Sequence, residues 1–365
     1  MDVIELAKDL MQYETVSPVE DDAIFDHMKT VLAEEAGIEA SIKEYDGVKN
    51  LVCTVGTGDP AVCFNGHVDV VPPGEGWSET DPFDPVIKDG RLYGRGAADM
   101  KTGVAAQLAA FVDLVNNDEL DGSVTLMVAG DEEQGGFAGT KRMVQEQEFD
   151  YVIVGEPTDL DVQVGTRGVI WIDVYLKGQE AHASKPHLGV NVVEDLPDVL
   201  DALNGLEMDY DAGNALPAPN AEVTVVETDD TQNSVPGKVR IGMDIRYGVS
   251  QDPESIVGDV RMLLEALGVD YDLEYTDHGG AFLLDDTRFR ETVVASVETI
   301  TGSEPEEVTS GGASDGRFFS ERGTPFVELG VEQETVHQAD ESCPVDDIRQ
   351  ARQIYRETAK RLLEG

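Results

Sequence analysis

The sequence predicts an α/β protein with a central mixed sheet flanked by helices and a smaller α+β domain inserted into it. Two observations lead there. Helical and strand-like segments alternate from the first residues onward, which is typical of helices packed on the faces of a sheet. In the middle of the chain the segments instead follow the order βαββαβ, whose short connections favour a small open sheet with two helices on one face.

The first part of the chain carries the alternating pattern. Its N-terminal segment, MDVIELAKDLMQYETVSP, has the spacing of an amphipathic helix. Apolar and β-branched runs further on predict strands, and the segments between them predict helices. In chain order these are the helix FDHMKTVLAEEAG, the strands NLVCTVG and AVCFNGHVDVV, the helix TGVAAQLAAFVDLVNN, the strand SVTLMVAG, a helix from Phe137 and the strand YVIVGEP.

The pattern changes after Gly168. The segments there are the strand VIWIDVYLKG, the helix NVVEDLPDVLDALNGL, the strands AEVTVVET and KVRIGMDIRYG, the helix PESIVGDVRMLLEALG and the strand DYDLEY. From about Phe282 the alternation resumes with the strand PFVEL and ends in the helix VDDIRQARQIYRETAKRLLEG. We therefore expect a discontinuous first domain, residues 1–168 and 283–365, and an inserted domain, residues 169–282.

The chain is acidic, with 74 Asp and Glu residues against 26 Lys and Arg residues, a formal net charge of -48 and a pI of about 4.1. This surplus excludes nucleic acid and anionic membranes as partners. Hydrophobic residues make up 41% of the sequence, which argues for a folded chain rather than a disordered one. Salt would screen the self-repulsion, since the Debye length falls to about 3 Å near 1 M. We therefore expect the protein to work in the cytoplasm of a cell adapted to high salt.

Redox and targeting features are few. Three cysteines, Cys53, Cys63 and Cys343, are too few and too scattered for a disulfide framework. The N-terminus has acidic residues where a signal peptide needs a basic region. No apolar run approaches the roughly 18 residues that span a bilayer. These features predict a soluble, cytoplasmic protein with no membrane partner.

The six histidines are rare enough for their positions to be informative. His67 follows a predicted strand, and Asp69 lies two residues on, so both side chains face the same way in an extended chain. A carboxylate so placed can accept one imidazole N–H and orient the ring for metal binding through its other nitrogen. Taken alone, a histidine at a strand end is more often structural than a ligand.

Several further positions are candidate ligands. Asp99 lies in a glycine-rich loop before a helix, where an N-cap is the ordinary alternative, and Lys101 beside it fits a surface cation. The others share a position just past a predicted strand, where a solvated acidic loop or a structural side chain is the alternative; they are Glu132, Glu133, Glu156 and His337.

Functional groups of an open α/β sheet gather beyond the carboxyl ends of its strands, so we expect these positions to converge. Two imidazoles and three carboxylates suit zinc, cobalt or manganese. One imidazole per ion and a bridging carboxylate would make a two-metal site, with the ions about 3.5–4 Å apart. Adjacent residues at a strand end point in different directions, so one of Glu132 and Glu133 can bind a metal while the other stays free beside a water molecule.

Five motifs, spread in order over nearly the whole chain, resemble a known family. They are GHVDVVPPGEGW, GRGAADMKTGVAA, GDEEQGG, VGEPT and VHQADES. They resemble the di-zinc metallopeptidases that include succinyl-diaminopimelate desuccinylase, acetylornithine deacetylase, aminoacylases and glutamate carboxypeptidase. The resemblance implies amide hydrolysis with two divalent metal ions, zinc before cobalt or manganese. It also implies that the first domain is the metal-binding catalytic domain and that the inserted one is a lid or dimerisation domain.

Carried over by position, the resemblance assigns roles to the candidates. It implies the following metal ligands: Asp99 bridging both ions, His67 and Glu156 at one ion, and Glu133 and His337 at the other. Glu132 would be the general base and acid, and Asp69 would orient the His67 side of the site. In the inserted domain, KGQEAHASKPHLGVNVVEDL resembles the segment whose first histidine reaches the active site of the other subunit. That histidine is His182, which would then donate to the oxyanion across a homodimer.

Other positions in the pattern are less specific. Asn191 also fits the family segment, and His187 lies in the same segment without an assigned role. We expect His27 and His278 to be structural or solvated.

The segments TSGGASDGRFFSERGTPFVELG, TRGVIW, QNSVPGKVRIGMDIRYG and SKPHLG look most like the desuccinylase, which implies N-succinyl-LL-diaminopimelate as the small N-acyl-amino-acid substrate. By the same comparison the substrate contacts would be Arg167, Asn233, Arg246 and Ser314. Arginine suits such a substrate because guanidinium binds carboxylate bidentately. Surface ion pairs with the abundant acids are the alternative.

Two departures leave the acyl group open. Ala313 stands where the desuccinylase typically has Thr, which removes a hydroxyl, and Asp340 stands where it usually has Asn, as in acetylornithine deacetylase. The alternatives are therefore acetylornithine deacetylase or another N-acyl-amino-acid deacylase or peptidase of the family. A non-catalytic binding protein on the same fold is the alternative from a different class, and the presence of all five candidate ligands and Glu132 speaks against it.

Overall fold

The computed structural model describes residues 1–117, 120–211, 215–228, 231–310 and 314–364. The chain divides into two compact units. Unit 1 comprises Met1–Val164, Leu284–Val308 and Ser314–Gly365, and unit 2 comprises Gly165–Leu283 and Thr309–Ala313.

The chain up to the end of unit 1's first segment forms four α-helices and eight strands in the described residues. The helices are α1 (Val3–Met11), α2 (Ala23–Ala36), α3 (Lys101–Asn116) and α4 (Thr140–Met143). The strands are β1 (Ser41–Tyr45), β2 (Val48–Gly56), β3 (Ala61–His67), β4 (Val86–Lys88), β5 (Arg91–Tyr93), β6 (Ser123–Ala129), β7 (Tyr151–Val154) and β8 (Val162–Thr166), the last of which runs into unit 2.

Unit 2 follows the predicted βαββαβ order, with short additional strands. Its strands are β9 (Gly168–Lys177), β10 (Ala181–His182), β11 (Asn220–Glu227), β12 (Ser234–Val235), β13 (Lys238–Tyr247), β14 (Tyr271–Gly279) and β15 (Phe282–Leu283), and its helices are α5 (Leu196–Asn204) and α6 (Pro253–Leu267). The antiparallel sheet has the order β11-β13-β9-β14. Inward residues such as Ile172, Ile241 and Met243 pack with Val199 of α5 and Val260 of α6, so both helices cover one face.

The chain then returns to unit 1. Its last elements are α7 (Thr287–Thr301), β16 (Glu307–Ser310), α8 (Gly316–Ser320), β17 (Phe326–Glu328), β18 (Ser342–Pro344) and α9 (Val345–Leu363). The central sheet has the order β1-β2-β6-β3-β7-β17-β8-β15, and β16 also pairs with β8. It is mixed: β6, β3, β7 and β17 run parallel, while β1, β2 and β8 pair antiparallel. The predicted fold class, a mixed sheet flanked by helices, is confirmed.

Burial explains why these segments form their elements. All seven residues of β6 are buried, as expected for an apolar strand with a neighbour on each side and both sheet faces covered. Helix α3 is buried along most of its length, and it packs against α1 and α9. The parallel strands therefore form a rigid base, and their carboxyl ends meet at one edge of the sheet.

One predicted helix begins later and is shorter than expected. The helix expected from Phe137 begins only at Thr140 and lasts a single turn. Gly135 and Gly136 adopt left-handed backbone conformations with φ of 103° and 62°, which side chains rarely tolerate. The Asp131 carboxylate also accepts the backbone N–H of Ala138 at 2.7 Å, so the chain there is held as a loop.

Two simpler expectations concern cysteines and membranes. Cys53, Cys63 and Cys343 are all free thiols, and all three are buried. Within the described ranges, none of the helices is long and apolar enough to cross a bilayer.

Candidate metal centre

His67 is the last residue of β3, and only 1% of it is exposed. Its Nδ1 lies 3.0 Å from the backbone carbonyl oxygen of Asp69, and its Nε2 lies 3.1 Å from Oδ1 of Asp99. A ring held through one nitrogen presents the other to a metal ion. The strand end therefore fixes both the place and the orientation of this imidazole.

Asp69 is fully buried, and its carboxylate does more than the expected orientation of His67. Its Oδ1 lies 3.4 Å from Nδ1 of His67, while its two oxygens accept the backbone N–H groups of Glu132 at 3.1 Å and Glu133 at 3.0 Å. The contact to the ring is thus shorter through the carbonyl than through the carboxylate. Asp69 ties the end of β3 to the turn that carries the two glutamates after β6.

Asp99 lies between two groups of potential ligands. The ligand atoms within each group lie within 4.8 Å of one another; the groups are His67, Asp99 and Glu156, and Asp99, Glu133 and His337. The Nε2 of His337 lies 3.2 Å from Oδ2 of Asp99 and 3.2 Å from Oε1 of Glu133. Asp99 is not an N-cap, because α3 is capped by Met100 without a side-chain hydrogen bond. Its two oxygens instead face one imidazole each.

The electrostatics of these groups match a site for cations. Burial alone would lower the pKa of His67, but hydrogen bonds with Asp69 and Asp99 hold it well above its ordinary value. Hydrogen bonds with Asp99 and Glu133 raise the pKa of His337 to about 10. Burial would raise the pKa of Asp99, yet the two imidazoles bring it below its ordinary value. Positive charge is thus strongly favoured in this pocket, and a mixed imidazole and carboxylate donor set fits divalent ions such as zinc.

Glu132 stands apart from both groups. It begins a 3₁₀ turn, Glu132–Gln134, and its Oε2 lies 4.0 Å from Nε2 of His67. Burial, followed by nearby acids that include Asp315 and Glu133, raises its pKa well above the ordinary value. Glu156 differs in that its carboxylate belongs to a ligand group, although burial raises its pKa as well. A free carboxyl with high proton affinity beside the ligands is suited to moving a proton.

Two residues at this site were missed by the sequence reasoning. Glu341 is fully buried, and its Oε1 accepts the backbone N–H groups of Ala98 at 2.8 Å and Asp99 at 3.0 Å. Its Oε2 lies 2.5 Å from Nη1 of Arg95, which is itself 1% exposed. The only sequence signal was that both residues lie in motifs used for their neighbours, GRGAADM and VHQADES.

Lys101 is not the surface cation that the sequence suggested. It is fully buried, and its Nζ donates to the carbonyl oxygen of Tyr13 at 2.6 Å. Burial lowers its pKa to about 7. The residue helps to fix the start of α3 directly after Asp99.

Two of the residues predicted in unit 2, the oxyanion donor His182 and the substrate contact Asn233, lie at a short pair of strands. His182 is exposed on β10, which pairs with β12 through His182↔Ser234. Its Nδ1 accepts the backbone N–H of Ser184 at 3.1 Å and lies 2.8 Å from that residue's hydroxyl. The carbonyl oxygen of Asn233 accepts the N–H of Ala183 at 2.9 Å. The structure therefore brings His182 and Asn233 together at the two-stranded sheet formed by β10 and β12.

Arg167 and Arg246 form a second pair in unit 2. Nη1 of Arg167 donates to Asn220 Oδ1 at 2.7 Å and to a carbonyl oxygen at 3.0 Å, and Asn220 is the register partner of Arg246. Arg246 is paired with Asp244 at 2.7 Å. Burial and the charge of Arg246 lower the pKa of Arg167. The two guanidinium groups therefore lie within electrostatic reach of one another, and each has a polar partner inside unit 2.

The remaining candidates have internal partners or lie elsewhere. Ser314 is buried and its hydroxyl donates to Glu328, so it is used within the protein. Ala313 lies outside the described residues. The Asp340 carboxylate accepts the backbone N–H groups of Ser78 and Glu79, each at 2.8 Å. That acid therefore holds a loop together.

The other histidines and Asn191 have ordinary surroundings. His27 packs on Tyr13 with ring centroids 5.8 Å apart, and His278 lies 4.2 Å from the ring of Trp171. His187 is exposed. The Asn191 side chain accepts the N–H of Val193 at the start of a short 3₁₀ turn. These contacts agree with structural or solvated roles.

Known proteins are similar to this chain over most of its length. The profile of peptidase family M20/M25/M40 matches residues 63–361. A succinyl-diaminopimelate desuccinylase of Wolbachia pipientis is 34% identical over 99% of this chain and 93% of that protein. The enzyme of the same name from Parvibaculum lavamentivorans is 38% identical over 84% of this chain and 81% of that protein.

Solved structures show the same fold at lower identity. An M20 family metallo-carboxypeptidase of Sulfolobus solfataricus aligns over 100% of both chains with a TM-score of 0.83 and 19% identity. A dinuclear metal binding peptidase from the M20 family of Bacillus subtilis aligns over 99% of this chain and 97% of that chain with a TM-score of 0.75 and 16% identity.

Proposed function

The chain belongs to peptidase family M20/M25/M40 and is a metal-dependent hydrolase of amide bonds, and from that premise we propose that it removes an N-acyl group from an amino acid. The observation that carries the proposal is the arrangement around Asp99. Two ligand groups share this carboxylate, and the Glu132 carboxylate lies beside them without belonging to either. Such a set holds two cations and leaves one group free for proton transfer.

The proposed ligands are those of the two groups, with zinc as the first choice of metal and cobalt or manganese as alternatives. When bound, the two ions supply Lewis-acid polarisation of the scissile amide and acidify water. His67 and His337 donate through Nε2, one at each side of Asp99. Asp69 keeps His67 and the Glu132–Glu133 turn in place through its buried carboxylate.

Glu132 performs the proton transfers in this proposal. Its carboxylate accepts a proton from the attacking water as the water oxygen bonds to the acyl carbon. When the C–N bond breaks, Glu132 returns that proton to the nitrogen of the departing amine. A carboxyl whose pKa is raised by burial holds the proton well enough to deliver it in the second step.

His182 is proposed to donate an N–H to the oxyanion that develops on the acyl carbonyl, acting across a homodimer formed through unit 2. Its exposure supports a role outside its own unit, since its ring is open to solvent and bonded through Nδ1 to the neighbouring Ser184. Oxyanion donors of this kind are typically worth about 10²–10³ in kcat.

The substrate that we propose is N-succinyl-LL-diaminopimelate, which would place the protein in lysine and diaminopimelate synthesis. The support is the activity named for relatives at 34–38% identity and the paired Arg167 and Arg246, which suit a substrate with several carboxylates. Asp340, which hinted at acetylornithine deacetylase, holds Ser78 and Glu79 in place and so carries less weight for substrate choice.

We also propose that the enzyme is cytoplasmic and adapted to high salt. The support is the net charge of -48, because self-repulsion of this size is screened only at short Debye lengths. Activity should rise with KCl towards molar concentrations, and full activity in dilute buffer would contradict the adaptation.

The experiment that tests the function measures amine release from N-succinyl-LL-diaminopimelate and, in parallel, from N-acetylornithine. It is run in molar KCl, with chelator and after adding back zinc or cobalt. Metal-dependent turnover of the succinyl substrate alone is the expected result. Turnover of the acetyl substrate alone keeps the reaction and changes the substrate. Failure on both substrates and on other acyl-amino acids and dipeptides, with metals bound, would leave a non-catalytic binding protein.

A further inference from the structure

The segment from His337 to Glu341 makes three separate attachments around the ligand groups. His337, whose backbone φ is 62°, faces Asp99 and Glu133. Asp340 holds the N–H groups of Ser78 and Glu79. The Glu341 carboxylate accepts the backbone N–H groups of Ala98 and Asp99. One short stretch of chain therefore fixes a ligand and two neighbouring loops at once.

The contact of Glu341 with Asp99 is made through the backbone. Oε1 of Glu341 accepts N–H from Ala98 and Asp99, and the backbone N–H of Gly94 donates to its carbonyl oxygen at 2.9 Å. The Glu341 side chain is fully buried, and burial raises its pKa. A buried N–H that loses its acceptor is costly because nothing replaces the lost hydrogen bond, so this acceptor favours one backbone position for Asp99.

Arg95 holds the second oxygen of the Glu341 carboxylate. Its Nη1 meets Oε2 of Glu341, its Nη2 donates to the carbonyl oxygen of Pro73 at 3.2 Å, and its guanidinium lies 5.4 Å from the centre of the Trp77 ring. Trp77 in turn donates to Pro73 at 2.8 Å. The pair thus links the backbone of Asp99 to the loop that Asp340 also holds.

We propose that Glu341 is a positioning residue for Asp99, acting as the acceptor that holds the Ala98–Asp99 backbone so that one carboxylate serves both ligand groups. Oδ1 of Asp99 faces His67 while Oδ2 faces His337. Because both oxygens are used, a small rotation of the residue would improve one contact only by weakening the other. The inference rests on the proposed two-metal site, and it does not depend on the identity of the substrate.

The test compares two double variants that both lack the buried ion pair. Arg95→Met with Glu341→Gln keeps an oxygen that can accept the two N–H groups, whereas Arg95→Met with Glu341→Leu has no acceptor. Removing both charges avoids the severe loss of stability that a single unpaired buried charge brings. Metal affinity is measured by competition with a chelator, and Co²⁺ is titrated into metal-free protein while its visible absorption reports coordination geometry.

We expect the Leu variant to bind Co²⁺ about 10–100-fold more weakly than the Gln variant, as is usual when the partner of a ligand is lost, and with an altered spectrum. Thermal unfolding of the metal-free proteins shows that both are folded. Equal affinity and equal spectra for the two folded variants would overturn the proposal, since Glu341 would then serve stability only.

Two further measurements keep the outcomes distinct. Glu357→Gln removes a carboxylate that pairs with Arg361 at 2.7 Å within α9 and belongs to neither ligand group, and it should leave metal affinity unchanged; a similar loss in this control would show that the effect is not specific to Glu341 and would also overturn the proposal. Wild-type protein that binds fewer than two Co²⁺ ions would instead refute the proposed two-metal site itself.

Discussion

The candidate metal ligands of unit 1 and the proposed substrate groups of unit 2 are built in contrasting ways. In unit 1, His67 and Asp69 are buried, and the turn carrying Glu132 and Glu133 is held by backbone hydrogen bonds. In unit 2, His182 is exposed on a two-stranded sheet whose strands have two residues each. Preorganised groups of the first kind suit a chemical step that tolerates little displacement. Exposed groups of the second kind are free to meet a ligand or a second subunit.

This contrast divides the expected effects of mutations. Changes in the pocket of unit 1 should alter metal binding, kcat or the pH dependence of stability. Changes in unit 2 should leave the metals in place and act on oxyanion stabilisation or on KM.

Glu132→Gln is the sharpest test of the pocket, and we expect it to lower kcat by about 10²–10⁴-fold because the general base and acid is lost. Both metals should remain bound, since Glu132 belongs to neither ligand group. The matched control is Glu133→Gln, which changes a ligand and should weaken metal binding. Metal content and turnover are measured on the same samples, and unchanged turnover of Glu132→Gln would refute its assigned role.

His182→Ala tests the exposed region, and we expect kcat to fall by about 10²–10³-fold with both metals retained. Mixing this variant with Glu132→Gln tests whether the donor comes from the second subunit. After subunit exchange, heterodimers contain one intact site, so about a quarter of wild-type activity should return. No recovery after confirmed exchange would place the donor within one subunit or remove it from the reaction.

Much of the contrast could be predicted from the sequence because the ligands follow strand ends. His67, Glu132, Glu133 and Glu156 come directly after apolar runs that form neighbouring parallel strands, and parallel strands bring their carboxyl ends to one edge. The spacing of those runs was enough to place these side chains near one another. The same rule places the end of β17, Glu328, at this edge as well.

The contacts that hold the ligands could not be predicted in the same way. Arg95 and Glu341 are separated by 246 residues, and nothing local distinguishes them from the many other charged residues. Lys101 looked exposed because lysine usually is, yet tertiary packing buries it. The helix expected from Phe137 starts only at Thr140, because buried carboxylates and glycines outside the periodic pattern decide the backbone before it. Long-range polar contacts of this kind leave no periodic signal.

The pocket region should also govern how stability depends on pH, through Glu328. This side chain is 4% exposed and bonded to Ser314 and Gln163, and burial raises its pKa from 4.5 to about 7. The folded state then binds the proton more tightly than the unfolded state, so stability should fall as pH rises from about 4.5 to about 7. A shift of this size corresponds to about 3 kcal/mol.

Denaturant unfolding of metal-free protein between pH 4.5 and 8 checks this expectation. Glu328→Gln should remove that part of the pH dependence and leave the other titrating groups to act as before. Glu274→Gln changes an exposed carboxylate of unit 2 and should reproduce the wild-type curve. If the unfolding free energies of Glu328→Gln and wild type changed with pH in parallel, proton binding by Glu328 would not be the source of this pH dependence.

Arg246→Lys should have the smallest effect of these variants, and it should change substrate binding alone. We expect KM for the succinyl substrate to rise about tenfold with kcat and metal content unchanged, because lysine keeps the charge but loses the bidentate geometry. Arg240→Lys is the matched control, since Arg240 lies on the same strand and pairs with Asp173 at 2.8 Å and Glu227 at 2.9 Å. Equal changes in KM for the two variants would make Arg246 a structural partner of Asp244. A rise confined to Arg246→Lys would mean that unit 2 selects the substrate through a carboxylate, while unit 1 carries the chemistry common to its relatives.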